Sequence, residues 1–169
     1  MIELPEVLTI AQQMNAELKG KRIESGKCGI SPHKFAWYNR GPEEYEEILA
    51  GKTVGEVTGD GSWLFVPLEP GFMLLFGDMG GRILFHQNES TLPEKYELML
   101  CFEDNSYLTV KIQMWGYIKL VEESEAVNYY RTLTPIRDEF TYDRFEQLIE
   151  DYEEKALTLH FFSQDEGWI

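Results

Sequence analysis

Two carboxylates, Glu3 and Glu6, stand close to the amino terminus in the run Met1-Ile2-Glu3-Leu4-Pro5-Glu6-Val7, and the terminal amine beside them has the most chemistry to offer. An α-amino group has a reference pKa of about 7.7–8.0, so near neutrality it is partly unprotonated, unlike a lysine. A helix starting next to it disfavours the ammonium further. Pro5 suits the first turn of a helix, where its missing N–H costs nothing, and glutamates suit the positive end of the helix dipole. Val7, Ile10, Ala11, Met14 and Leu18 recur at helical spacing, and Gly20 follows as a stop. The amine is therefore tied to a packed helix. On these residues alone, the two glutamates also read as plain caps of a surface helix.

Composition bounds what such a site can serve. A chain of 169 residues, 43% hydrophobic and 14% aromatic, can bury a core, and one principal domain is expected. Thirty acidic against 15 basic residues give a net charge of −15, the wrong sign for holding a polyanion by phosphate neutralisation. The acids gather at residues 43–47 and 150–154, which read as solvated faces. Cys28 and Cys101 lie too far apart for a metal motif and read as buried, reduced thiols, so neither zinc nor any other cofactor is expected. His33, His86 and His160 have no spacing that suggests a metal or a triad. No 18-residue apolar run and no basic-then-apolar leader appear, so no membrane partner is expected and the cytoplasm is the default location.

The elements that must position the terminus alternate in texture. A strand is expected at residues 21–29, a loop at 31–34 before the aromatic cluster 35–38, and a helix from Pro42 to a stop at Gly51. Strands follow at 53–58, 62–68, 72–76, 82–86, 96–102, 107–112 and 117–121, with Glu69-Pro70-Gly71 and Glu103-Asp104-Asn105-Ser106 turning two hairpins. Helices return at 125–133, 142–151 and 155–164. The fold class is α+β, mostly β: an antiparallel β-sandwich of about eight strands with an N-terminal helix and a short helical tail. Residues 1–135 form the sandwich domain and 136–169 the tail, divided at the loop Thr134-Pro135-Ile136-Arg137-Asp138.

Glu-Leu-Pro-Glu-Val at positions 3–7 resembles the opening of the formamidopyrimidine-DNA glycosylase / endonuclease VIII family, which begins Met-Pro-Glu-Leu-Pro-Glu-Val. Further words match in order. Leu18-Lys19-Gly20-Lys21-Arg22-Ile23 resembles the family's Leu-x-Gly-Lys-x-Ile, and Gly61-Ser62-Trp63-Leu64 its Gly-Lys-Tyr-Leu. Asp78-Met79-Gly80-Gly81-Arg82 resembles its Gly-Met-Ser-Gly-x loop, and Met114-Trp115-Gly116 its Arg-Phe-Gly. The resemblance implies an enzyme that flips a damaged base out of the duplex, fills the vacancy with side chains and attacks the sugar C1′ with a terminal proline amine. A Schiff base forms, and elimination cuts the strand. Carried over, Glu3 matches the acid/base carboxylate and Glu6 its supporting one. Met79 matches the void-filling methionine, and Trp115 the intercalating phenylalanine. The implied partner is damaged or abasic DNA.

The departures concern the same chemistry. Ile2 stands where the family has its nucleophilic proline, and a large second residue generally blocks removal of the initiator methionine. The reacting amine would then belong to Met1, or to Ile2 if Met1 is removed. Ser62 replaces a phosphate-binding lysine, and Gln113 and Met114 replace two arginines, so weak, salt-sensitive DNA affinity is expected. The family continues into a helix–two-turns–helix motif and a zinc finger, whereas residues 141–169 resemble only the entry to that region. A truncated product or a natural remnant is expected, with catalysis by the terminal amine and a non-catalytic or degenerate domain as the two open functions. Leu157, Phe161 and Phe162 in the tail offer an apolar face for a homodimer.

Overall fold

Helix α1 (Leu4–Leu18) starts one residue before Pro5, and the Glu6 carboxylate reaches back to accept the Glu3 N–H at 3.0 Å. That bond satisfies a donor the first turn would otherwise leave without a partner. Val7, Ala11, Met14 and Leu18, the face its periodicity predicts, are buried. The computed structural model describes residues 2–31, 33–129, 141–143 and 145–146. The chain divides into a unit of Met1–Arg131 and a second of Thr132–Ile169.

In the first unit α1 is followed by β1 (Ile23–Cys28), β2 (Ala36–Tyr38), α2 (Pro42–Leu49), β3 (Thr53–Val54), β4 (Thr58–Asp60), β5 (Trp63–Glu69) and β6 (Phe72–Gly77). Then come β7 (Gly81–His86), β8 (Leu98–Phe102), β9 (Tyr107–Ile112), β10 (Gly116–Glu122) and α3 (Glu123–Ala126), which runs into a 3-10 turn at Val127–Tyr129. The strands form two sheets. One has the order β1-β8-β9-β7; the other runs β2-β10-β6-β5-β3, with β4 also pairing β5. The expected mostly antiparallel sandwich is present.

Its main core joins inward residues of one sheet, such as Leu64, Leu74 and Ile118, to those of the other, such as Leu100, Leu108 and Val110, together with the buried face of α1. The six-stranded sheet is apolar on its second face too. There Trp63, Phe65, Met73, Leu75 and Val121 pack with Ala126 of α3. Burial on both sides explains why β5 reads Trp-Leu-Phe-Val-Pro-Leu-Glu with almost no alternation.

Two local expectations differ from what forms, and one segment with no expected structure becomes a strand. The aromatic cluster is a strand, β2, pairing parallel with β10 in an otherwise antiparallel set of described ladders. The Asn39 side chain prolongs that pairing, giving its amide to Leu120 O at 2.9 Å and accepting from Leu120 N at 2.8 Å. The single strand expected at 53–58 is instead β3 and β4, because Asn15 of α1 takes both Val57 backbone groups at 2.7 Å. The helix expected at 125–133 starts earlier, at Glu123, and narrows to a 3-10 turn at Val127–Tyr129, its residues 130–133 lying outside the described residues.

In the second unit, Tyr142 and Asp143 are helical, and Phe145 N donates to Thr141 O at 3.0 Å. The boundary loop 134–138, the helix expected at 155–164, most of that at 142–151, and the Leu157, Phe161 and Phe162 face lie outside the described residues. Among the described residues no helix is long and apolar enough to cross a membrane.

Candidate functional site at the first helix and two loops

Three segments singled out in the sequence meet around one end of the six-stranded sheet. The first is the start of α1, where Glu3 and Glu6 are exposed while Ile2 is only 7% exposed and belongs to the main core. Met1 lies outside the described residues. β4 lies against this helix so closely that a side chain at Gly59 would run into Val7. The turn after β4 carries the second segment, Gly61-Ser62.

Ser62 is buried, and its hydroxyl donates to Asp78 Oδ1 at 2.5 Å, while Asp78 N donates to Ser62 O at 3.2 Å. Asp78 takes a positive φ of 43°, which Asp tolerates better than most residues. It leads into the third segment. Met79 follows, and the structure places it inside: 4% exposed, in the main core and lying on Gly116. Gly80 N donates to Trp115 O at 2.8 Å, and Gly80 O accepts from Gln113 N at 2.8 Å and Met114 N at 3.0 Å. The Met79 loop and the Gln113-Met114-Trp115 loop are thus one hydrogen-bonded unit. Gln113 is exposed, Met114 is 52% exposed and Trp115 is half-buried.

One buried acid that pattern reasoning passed over supports this unit, and a buried histidine fixes the far end of β7, where His86 lies opposite Tyr107. Glu97, fully buried, accepts the Ile112 N–H at 2.6 Å and faces Lys111 Nζ at 3.2 Å, so a carboxylate anchors the strand end from which the 113–115 loop springs. Its only signal was an acid directly before the run Leu-Met-Leu-Cys-Phe. His86 is held between the hydroxyls of Thr91 (2.9 Å) and Thr109 (2.8 Å), and burial pushes its pKa down, which keeps the ring neutral.

The cations around the fold are largely spent on neighbours. Lys19 faces Glu56, Lys21 faces Asp104, Arg22 faces Glu103 and Arg40 faces Glu44. Lys21 holds the Asp104 carboxyl down at about 2, with Ser106 assisting. Among the described residues no group of three or more His, Cys, Asp or Glu is placed to hold a metal ion. A shallow groove between α1 and the four-stranded sheet, with Gln13, Glu17, Ile83 and Phe85 in its wall, lies beyond the helix start.

Residues 1–113 match the model of the formamidopyrimidine-DNA glycosylase N-terminal domain, two thirds of the chain. The chain belongs to this family. Among curated relatives, it is 28% identical over 148 residues to a formamidopyrimidine-DNA glycosylase of Bacillus licheniformis, covering 85% of this chain and 53% of that protein. To that of Bacillus subtilis it is 27% identical over 131 residues, covering 74% and 45%. The chain spans about half the length of the curated relatives it matches. The fold is similar to that of Lactococcus lactis Fpg in complex with abasic-site DNA, with a TM-score of 0.64 and 22% identity, covering 75% of this chain and 46% of that one. The same protein bound to DNA with an oxidized pyrimidine aligns with a TM-score of 0.64 and 23% identity, covering 75% and 47%. Family membership and sandwich fold therefore agree with the words at 3–7 and 78–82.

Proposed function

We propose that this chain is a divergent DNA glycosylase homologue that engages damaged or abasic DNA weakly, through the face carrying Glu3, Glu6, Ser62, Met79 and the 113–115 loop, without the amine-lyase step. The observation that carries this reading is Ile2. Its side chain is committed to the core at the position of the nucleophilic proline, so a terminal amine on Met1 is displaced along the chain by one residue, about 3.8 Å between Cα atoms. A misplacement of about 1 Å can already cost on the order of a hundredfold in rate.

Weak binding follows from the same face. Ser62 gives its hydroxyl to Asp78 where a lysine would meet a phosphate, and Gln113 and Met114 bring no charge. Met79, being buried, would have to leave the core before it could fill a vacated base site. The second reading, a lyase using the Met1 or Ile2 amine with Glu3 as acid/base and Glu6 in support, is favoured by both carboxylates being exposed at the helix start.

Salt-titrated binding to abasic and intact duplexes tests the proposal. The abasic duplex binds better, and log K falls with log salt at a slope of about −1 to −2, as for one or two phosphate contacts. Replacing Gln113 and Met114 together by arginine steepens that slope by about 1.8, since each contact adds about 0.9. Equal, negligible binding to both duplexes at low salt would remove the DNA role altogether.

A further inference from the structure

A row of aromatic rings crosses the outer face of the six-stranded sheet and adjoins the 113–115 loop, where Gly116 N donates to Phe35 O at 3.0 Å. Trp37 of β2 is in register with Tyr117 of β10, Tyr117 with Gly77 of β6, and Gly77 with Trp63 of β5. Gly77 lets the row close up, because a side chain there would run into the Trp63 ring. Trp63 and Tyr117 stack at 5.9 Å and 24°, and Tyr117 and Trp37 at 5.0 Å and 28°. Tyr129 caps the Trp63 end at 5.1 Å, and Lys119 Nζ lies over the rings of Trp63, Tyr117 and Tyr129.

The Trp37 end is open. β2 is the edge strand, so no further strand follows it, and Trp37 is 40% exposed with one face covered by Tyr117. Phe35, 46% exposed, stands beside it at 6.3 Å and 58°, with Lys34 Nζ 5.3 Å from the Phe35 centroid. Charge agrees. Thirty of the 169 residues are acidic, yet none falls within residues 25–42, and in that stretch Lys34 and His33 both stand beside the Phe35 ring. Among the described residues no carboxylate faces Lys34.

We infer that this open end binds single-stranded nucleic acid: a base extends the stack on the uncovered face of Trp37, with Phe35 as a side wall, and Lys34 meets its phosphate. A planar, anionic partner fits both halves of the observation, because a ring stack ending in an exposed face takes another ring and the acid-free segment takes a negative charge. A carboxylate-rich peptide satisfies only the second. The proposed contacts are made by Trp37, Phe35 and Lys34, none of which is among the residues assigned to the duplex face.

The test is fluorescence anisotropy of a dye-labelled 12-nucleotide oligothymidine titrated with the full chain at about 20 mM salt. Binding is expected. Trp37→Ala weakens it tenfold or more, as loss of one stacked base requires, and Trp37→Phe keeps it within about threefold. Lys34→Gln reduces the salt slope by about 0.7, the value for one single-strand phosphate contact. Circular dichroism establishes that each variant is folded, and should Trp37→Ala not fold, Phe35→Ala and Lys34→Gln decide. No anisotropy change with wild type up to about 1 mM, unchanged affinity in Trp37→Ala, or displacement of the labelled oligothymidine by polyglutamate as readily as by unlabelled oligothymidine would each overturn the inference. Abasic-duplex affinity, read by anisotropy in parallel, stays unchanged in Trp37→Ala. Equal loss of both affinities would make the strip part of the duplex face and overturn its separate assignment.

Discussion

Two buried side chains, one at each end of β7, set measurable properties one residue at a time. His86, neutral between Thr91 and Thr109, has a folded pKa below its unfolded value of about 6.5, so unfolding takes up a proton as the pH falls. Its contribution to stability is complete above about pH 6.5 and is lost as the pH drops from there through the lower folded value. His86→Gln should therefore flatten the decline in stability between pH 7 and 5, as followed by urea unfolding at each pH; an unchanged slope would place the titration elsewhere. Met79 gives a second test. Because it packs in the core, Met79→Ala should cost about 2–4 kcal/mol in urea unfolding, whereas a methionine projecting to solvent would cost almost nothing. Its burial was not legible in the sequence. Asp78-Met79-Gly80-Gly81 announces a tight loop, but not which way the side chain turns, since that depends on Gly116 leaving room for it 37 positions later.

At the scale of elements, what was local was legible. Pro5, the glutamates and the 7-11-14-18 spacing describe α1 completely, and the same holds for α2 with its Pro42 and the Glu44 carboxylate accepting from Gly41 N at 3.0 Å. What failed was non-local. β2 has three residues and draws its pairing from β10, about 80 positions on, and the break between β3 and β4 is imposed by a helix side chain. Asn15 thereby holds α1 and its exposed Glu3 and Glu6 against the strand that leads to Ser62. Asn15→Ala would leave two backbone groups of buried Val57 without partners, at a cost of about 2–3 kcal/mol. Amide exchange should locate that loss at residues 55–59; protection there equal to wild type would contradict this role.

Across the whole molecule, the family motifs and the charge balance point in different directions. The sandwich, the helix and the ordered motifs place the chain in the glycosylase family, and the loop pairing at Gly80 brings the Met79 and 113–115 segments into one unit. The charges point the other way: −15 overall, with Lys19, Lys21, Arg22, Arg40 and Lys111 each set against a carboxylate. Both signals were readable from composition and motif. The deciding detail was readable only as a substitution, because Ile2 shows in the sequence that the proline is missing, and only its burial shows that the replacement works as a core residue. The most direct measurement is borohydride trapping on abasic-site DNA, with intact mass establishing which residue carries the terminal amine. The account predicts no covalent protein–DNA adduct under conditions that trap a formamidopyrimidine-DNA glycosylase; a stable adduct whose mass maps to Met1 or Ile2 would contradict it.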